Sequence, residues 1–229
     1  MTDWAQHVER ETARYRDGES RLPAAEDADA RQRQLTRLGN AAGGAGLALL
    51  AQGRTDEAAE WLARAAERYR ESWDDAPPGS WGRPIGMLKA RLLAGDWDAA
   101  REEATWTLDE GAGAAESPIG RYAACLANLV LERWDEARVL ADGLRLDAGF
   151  PHDVGDALAF IAAHDRLGYV EAVESVLRSF ETRESTSKTS RLPTLSSSSR
   201  HSRRAATSPP TSTRPSCLPN ASRAGARRR

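Results

Sequence analysis

The side chains able to do chemistry are few and scattered. Two cysteines, Cys125 in an apolar stretch and Cys217 in a polar one, are too few for a disulfide framework or a zinc site, and both are expected as free thiols. His7, His152 and His164 each lack a second His or Cys four residues away, the spacing that sets two ligands on one helix face. His152-Asp153 therefore reads as a helix start, and His164-Asp165 as a helix surface near its end. Ser80, in Gly79-Ser80-Trp81-Gly82, misses the spacing of a nucleophile elbow and follows Pro77-Pro78 rather than a strand. Gly43-Gly44-Ala45-Gly46 has neither the preceding strand nor the spacing of a dinucleotide fingerprint, and reads as small residues for tight helix packing. Asp96 and Asp98 suit a turn and a helix cap better than a general acid and base. The expectation is a chain with no catalytic residues, no cofactor and no metal, and not an enzyme.

Binding features are more numerous. Trp73, Trp81, Trp97, Trp106 and Trp134 are residues of the kind that anchor interfaces. Trp97 and Trp134 recur at one position of a repeated pattern, which marks them as packing residues between helices. Trp81 lies outside that pattern, in the loop from Gly79 to Arg83, and is a candidate partner contact. Arg83, Lys89 and Arg121 stand at or near the starts of successive helices. Neighbouring units would bring them to one side, as a basic pocket for a carboxylate-bearing peptide. Trp81, Arg83, Lys89 and Arg121 are the candidate partner-binding residues.

The elements that position them are repeats. Gly53-Arg54-Thr55-Asp56-Glu57-Ala58, Gly95-Asp96-Trp97-Asp98-Ala99-Ala100 and Glu132-Arg133-Trp134-Asp135-Glu136-Ala137 share one pattern, with a weaker copy at Leu167 to Ala172. Its closing alanine recurs at 58, 100, 137 and 172, while Pro84, Pro118 and Pro151 recur at a similar interval. Such self-similarity marks stacked supersecondary units. In each unit the proline suits the first turn of one helix. The apolar stripes Ile85/Leu88/Leu92, Ile119/Tyr122/Leu126/Leu129 and Val154/Leu158/Ile161 face a neighbour. Asp56, Asp98 or Asp135 then stands where a second helix needs an N-cap. The second helix of the first unit carries Ala58, Leu62, Ala65, Tyr69 and Trp73 on one face and pairs Glu60 with Arg64 on the solvent side.

In Gly46, Leu49, Gly53, Asp56, Glu57, Ala58, Leu62 and Ala65 the chain resembles the tetratricopeptide-repeat (TPR) family, over about residues 40–183. The later copies depart from that signature, with Leu88 and Cys125 at its small first position. The resemblance implies an all-α fold of TPR-like helix-turn-helix hairpins stacked as a short solenoid. It also implies a role in binding a peptide or protein on the repeat surface, as an adaptor, assembly factor or regulator. A one-to-one inhibitor or immunity-type binding protein is the alternative. Residues 1–39 read as two further helices, Asp3 to Arg16 and about Ala24 to Leu38, that cap the array or form a dimer contact.

Composition and charge divide the 229 residues in two. Residues 1–184 hold all 34 acidic side chains and carry a net charge of −12, whereas residues 185–229 hold none and carry +10. Of the 32 Lys and Arg, only Lys89 and Lys188 are lysine. A GC-rich genome explains the arginine excess, and an acidic, halophile-like surface that keeps a protein hydrated at high salt explains the same pattern.

Residues 185–229 lack Asp, Glu, Phe, Tyr, Trp, Ile and Val, so they offer too little apolar surface to offset chain entropy and are expected to be disordered. They have three readings: an arm binding RNA or DNA through its arginines, an inert terminus, or the product of a frameshift. A one-base shift turns GAN codons into ANN, GTC into TCN and GCN into CNN, converting an Asp/Val/Ala text into Thr, Ser, Arg and Pro. The sequon Asn220-Ala221-Ser222 reads as chance. The longest small-apolar run, Ala41 to Ala51, is shorter than the roughly 20 residues of a membrane span, and the first residues have no signal-peptide pattern. A cytoplasmic location and no membrane partner are expected.

Overall fold

The computed structural model describes residues 3–189, and side-chain surroundings for residues 3–179. Among the described residues it is all-α, with no strand. The helices are α1 (Trp4–Arg21), α2 (Ala28–Ala51), α3 (Thr55–Glu71), α4 (Gly82–Ala94), α5 (Trp97–Asp109), α6 (Pro118–Val130), α7 (Trp134–Arg145), α8 (His152–Ala162) and α9 (Arg166–Thr189). Short 3-10 turns occupy Leu22–Ala24 and Ala112–Ala114. Each helix from α1 to α8 packs on the next, and the even-numbered helices also touch one another in succession.

The turns that join α2 to α3, α4 to α5, α6 to α7 and α8 to α9 are one device used four times. Gly53 (φ 74°), Gly95 (φ 74°), Glu132 (φ 58°) and His164 (φ 55°) all take the left-handed conformation. The following residue in each turn, Arg54, Asp96, Arg133 or Asp165, donates its N–H to the carbonyl five residues back, on Leu49, Arg91, Asn128 or Phe160. This is the Schellman closure, which satisfies orphan carbonyls at a helix end and reverses the chain at once.

Because the reversal is so tight, the second helix of each pair starts earlier than its acidic residue. Asp56, Asp98 and Asp135 are therefore not N-caps. The cap positions belong to Arg54, Asp96 and Arg133, and the three acids lie in the first turn, where they complement the positive helix end. Asp96 does cap α5, accepting from the Ala99 N–H at 3.2 Å. Asp3 caps α1, Asp27 caps α2, and Ser117 caps α6 with Pro118 behind it. Pro84 falls within the first turn of α4, and Pro151 is the cap residue of α8.

The expected break between capping helices and repeats, at residue 39, does not exist. α2 runs unbroken from Ala28 to Ala51, so the second N-terminal helix and the first helix of the first repeat are one element. Glycines in its interior cost helix stability but admit close neighbours. A Cβ on Gly39 would stand 2.9 Å from the Tyr69 ring, and one on Gly46 would stand 2.6 Å from Leu62 Cγ. α1 likewise continues past Arg16 to Arg21, with Gly18 packed against Gln34 and Leu38.

The core is segmented along the chain. Tyr15, Leu35, Leu38, Leu49, Leu62 and Met87 join α1 to α4. Leu88, Ala100, Ala104, Ala127 and Val130 join α4, α5 and α6, while Cys125, Leu144, Phe150 and Leu158 close the last part. The expected face of α3 is borne out: Ala58, Leu62 and Ala65 are buried, Tyr69 and Trp73 are half-buried, and Glu60 and Arg64 pair outside at 3.8 Å.

Two expected stripes move. α6 buries Gly120, Ala123, Ala124, Cys125 and Ala127, leaving Ile119 exposed, because its small residues let it sit between α4 and α7. In α8, Val154 and Leu158 are covered but Ile161 is exposed. Helix α9 extends to Thr189, five residues past Glu184. The expectations for residues 190–229, including disorder, nucleic-acid binding, Cys217 and the sequon, lie outside the described residues. No helix among the described residues is long and apolar enough to cross a membrane.

Candidate functional site

The four candidate binding residues do not gather. Trp81 is 8% exposed and belongs to the core with Ile85, Ala123 and Ala124, its ring centroid 5.1 Å from that of Trp73. Its loop lies outside the repeat pattern but folds over the end of α4, because Trp81 N–H bonds to Gly79 O and Trp81 O accepts from Ile85 N–H. It is a packing residue, and the expectation of an exposed contact is corrected. Arg83 reaches back to α2 and donates to Gln32 Oε1, while burial without a carboxylate partner lowers its pKa. Arg121 turns the other way and pairs with Asp147 at 3.3 Å.

Lys89 is different. It is exposed, makes no ion pair among the described residues, and lines a groove of about 430 Å³ between α2, α3 and α4. The floor is built from small residues on both sides, Gly43 and Gly44 on α2 and Gly82, Gly86 and Ala90 on α4. Tyr69 crosses the bottom: its hydroxyl donates to Asn40 Oδ1 at 2.7 Å, and a Cβ on Gly86 would collide with its ring at 2.8 Å. Leu47, 52% exposed, and Leu93, 45% exposed, form the apolar rims. Lys89 is the one charged side chain lining the groove.

The rim leucines were missed in the sequence, although the signal is there. Leu47 precedes Leu49 by two residues and Leu93 follows Leu92 by one, so neither fits the buried stripe of its own helix. Apolar residues off the stripe on two helices that touch belong to a shared outer surface.

Other charged groups are engaged, although Arg70 Nη1, Arg83 Nε and Arg91 Nε are buried without a hydrogen-bond partner among the described residues. Arg70 stacks on Trp106 at 3.5 Å, and Arg91 lies 3.8 Å from Glu103. Desolvation raises the Glu103 carboxyl, opposed by the charges of Arg70 and Arg91. His152, Asp153 and Asp156 bring ligand-type atoms within 4.8 Å. However, Asp156 is held by Arg145 at 2.6 Å and by His152 at 3.0 Å, a sufficient reason for the grouping. His152 begins α8 as expected, while His164 is not on a helix but in the left-handed turn, its ring centroid 4.4 Å from that of Trp134.

Trp97, expected to pack between helices, is 54% exposed at the start of α5. The Ser80 hydroxyl donates to Pro77 O at 2.6 Å. Burial pushes the Cys125 thiol up to about 12. No protein-family model, no curated protein and no solved structure matches this chain.

Proposed function

We propose that this chain is a non-enzymatic protein–protein interaction module built from TPR-like hairpins, an adaptor, assembly factor or regulator that holds a peptide segment of its partner between α2 and α4. The observation that carries the reading is the groove itself: glycine-rich floor, exposed Leu47 and Leu93 on its rims, and Lys89 without a counter-ion among the described residues. Its ligand is a segment with aliphatic side chains for the floor and a carboxylate for Lys89. Burying one leucine-sized side chain contributes about 1.5–3 kcal/mol, so two such contacts and a charge-assisted hydrogen bond, set against the cost of association, support a weak, transient complex. The absence of an enzymatic role is supported by the state of the nucleophile-type groups: a hydroxyl turned into its own loop and a thiol held protonated.

The test is panning of a random-peptide display library on the full chain, followed by affinity measurement on the enriched sequences. Selected peptides are expected to combine aliphatic and acidic residues. Leu93→Glu should weaken them about tenfold or more, roughly 1.4 kcal/mol, and Lys89→Glu should shift selection to basic peptides. Enriched peptides whose affinity ignores both Leu47→Glu and Leu93→Glu would remove the groove from the function.

A further inference from the structure

Helix α9 presents apolar residues to solvent on one face. Leu167 (81% exposed), Val170 (52%) and Leu177 (58%) stand at spacings of three and seven, which align on one side of a helix. The opposite side packs inward, with Ala172 buried and Gly168 against the Phe160 ring. A stripe with this period is the usual mark of a face meant for a neighbouring element. A few residues further on, from Ser185, acidic residues and large apolar residues other than leucine vanish from the sequence.

The genetic code relates the two facts. Reading each codon one base earlier makes the first base of every printed codon the middle base of a new one. Cysteine codons and the TCN serine codons begin with T, and a middle T always encodes an apolar residue; with G or C in front it is valine or leucine. Threonine, lysine and asparagine codons, and the AGC and AGT serine codons, begin with A and, behind a G or C, become aspartate or glutamate, or else histidine or glutamine. Proline and histidine codons, the CGN arginine codons and the CTN leucine codons begin with C and, behind a G or C, become alanine or proline. Alanine and glycine codons begin with G and become glycine or arginine.

The order of the residues bears on a helix as well. Where Ser196 to Ser199 and Ser202 have TCN codons they become aliphatic, and Arg200, His201, Arg203 and Arg204 among and after them become alanine or proline where their codons begin with C behind a G or C. Thr186, Lys188, Thr189, Thr194, Thr211 and Thr213 become acidic where G precedes their codons, the same sign as the net charge of residues 1–184.

We infer that the nucleotides spelling residues 185–229 belong to the frame one base earlier and encode a further helix, which covers the Leu167/Val170/Leu177 face of α9. Loss of one base between the codons of Phe180 and Ser185, or a ribosomal skip of one base there, yields the printed tail.

Two measurements test this. Protein purified from the source organism is digested and read by mass spectrometry: acidic, Val- and Ala-rich C-terminal peptides are expected. The peptide Leu192–Arg200 at the abundance of the rest of the chain would overturn the inference. In parallel, a gene with one base restored before the Ser185 codon is expressed beside the printed one. Amides of α9 around Val170 and Leu177 are expected to exchange about tenfold more slowly or better in the restored chain. Equal exchange in two chains that both fold would refute the covering of α9.

Discussion

Replacing Glu132 by glycine and by alanine separates backbone from side chain at the turn between α6 and α7. Glu132 sits at φ 58°, where a Cβ costs about 1–2 kcal/mol. Glycine removes that cost but gives back about 0.5–1 kcal/mol of unfolded-chain entropy. The carboxylate of Glu132 lies 3.6 Å from Arg101, with both side chains about half exposed or more, a pair contributing about 0–1 kcal/mol. Both variants lose it, so it cancels between them. Glycine should therefore exceed alanine at 132 by about 0.5–1 kcal/mol, a Tm difference of about 1–4 °C. In a helix interior the order is the reverse, alanine exceeding glycine by about 1 kcal/mol. The assay is urea unfolding followed by circular dichroism at fixed salt, comparing midpoints at a constant slope. Gly95→Ala, at φ 74° in the equivalent turn, should lose stability. Alanine equal to or better than glycine at 132 would refute the claim that the turns share one left-handed device.

Further outcomes follow from burial and close approach. Trp81→Ala should cost about 3–5 kcal/mol and Trp97→Ala less than about 0.5 kcal/mol in the same unfolding assay, although both are tryptophans in the repeat region. Gly46→Ala should destabilise by about 1–3 kcal/mol, because its Cβ meets Leu62 at 2.6 Å and the Ala58 carbonyl at 3.3 Å. Gly43→Ala, one turn away with only Ala65 at 3.9 Å, should gain about 0.5–1 kcal/mol by thermal melting. The Cys125 thiol is raised from 9.0 to about 12 by burial. The folded chain thus binds its proton more tightly than the unfolded one. Stability should be complete below about pH 9 and fall between about 9 and 12, by up to about 1.4 kcal/mol per pH unit. Cys125→Ala should lack that part of the slope, which Tyr69 and Tyr122, also raised, would retain.

Helix class and the tight turns at Gly53, Gly95 and Glu132 were legible because period-3.6 patterns and recurring Gly/Asp/Ala signals are local. Helix boundaries were less so, since they depend on what packs where. A boundary was expected at residue 39, yet α2 runs through Gly39 and Gly46, where Tyr69 and Leu62 occupy the space a Cβ would fill. Trp81 read as a free loop residue because its neighbours in space, Ala123 and Ala124, come from a helix two elements later. Glu132 and His164 gave no turn signal of their own. Alignment with Gly53 and Gly95 marks Glu132 alone; His164 lies three residues before the fourth copy expected from Leu167, which falls inside α9, and the residue types disguise the shared conformation. The expected basic pocket failed for a related reason. Residue spacing set Arg83, Lys89 and Arg121 along the chain, but the direction of each side chain was set by partners, Gln32 and Asp147, that spacing does not reveal.

The same physics explains why a groove opens between α2 and α4 while the next pair of helices carries none of its features. Between α2 and α4 the groove is lined by Gly43, Gly44, Gly82 and Gly86, so the helices leave a shallow floor of small residues with one ring, Tyr69, lying across it. Between α4 and α6 the corresponding space holds Trp81, stacked on Trp73 and covered by Tyr122, which in turn meets Phe150 at 5.5 Å. Small residues on α6 do not leave a hollow there, because Gly120 is filled from the side, a Cβ on it meeting Ala115 at 2.3 Å and the Trp81 indole at 3.0 Å. Glycine thus has two opposite uses on one architecture. At Gly86 and Gly120 it admits an aromatic ring, whereas at Gly43 and Gly82, with only Ala65 at 3.9 Å or nothing within 4 Å, it leaves open surface in water. That exposure is unfavourable for folding alone, and it becomes intelligible when a partner supplies the missing side chains.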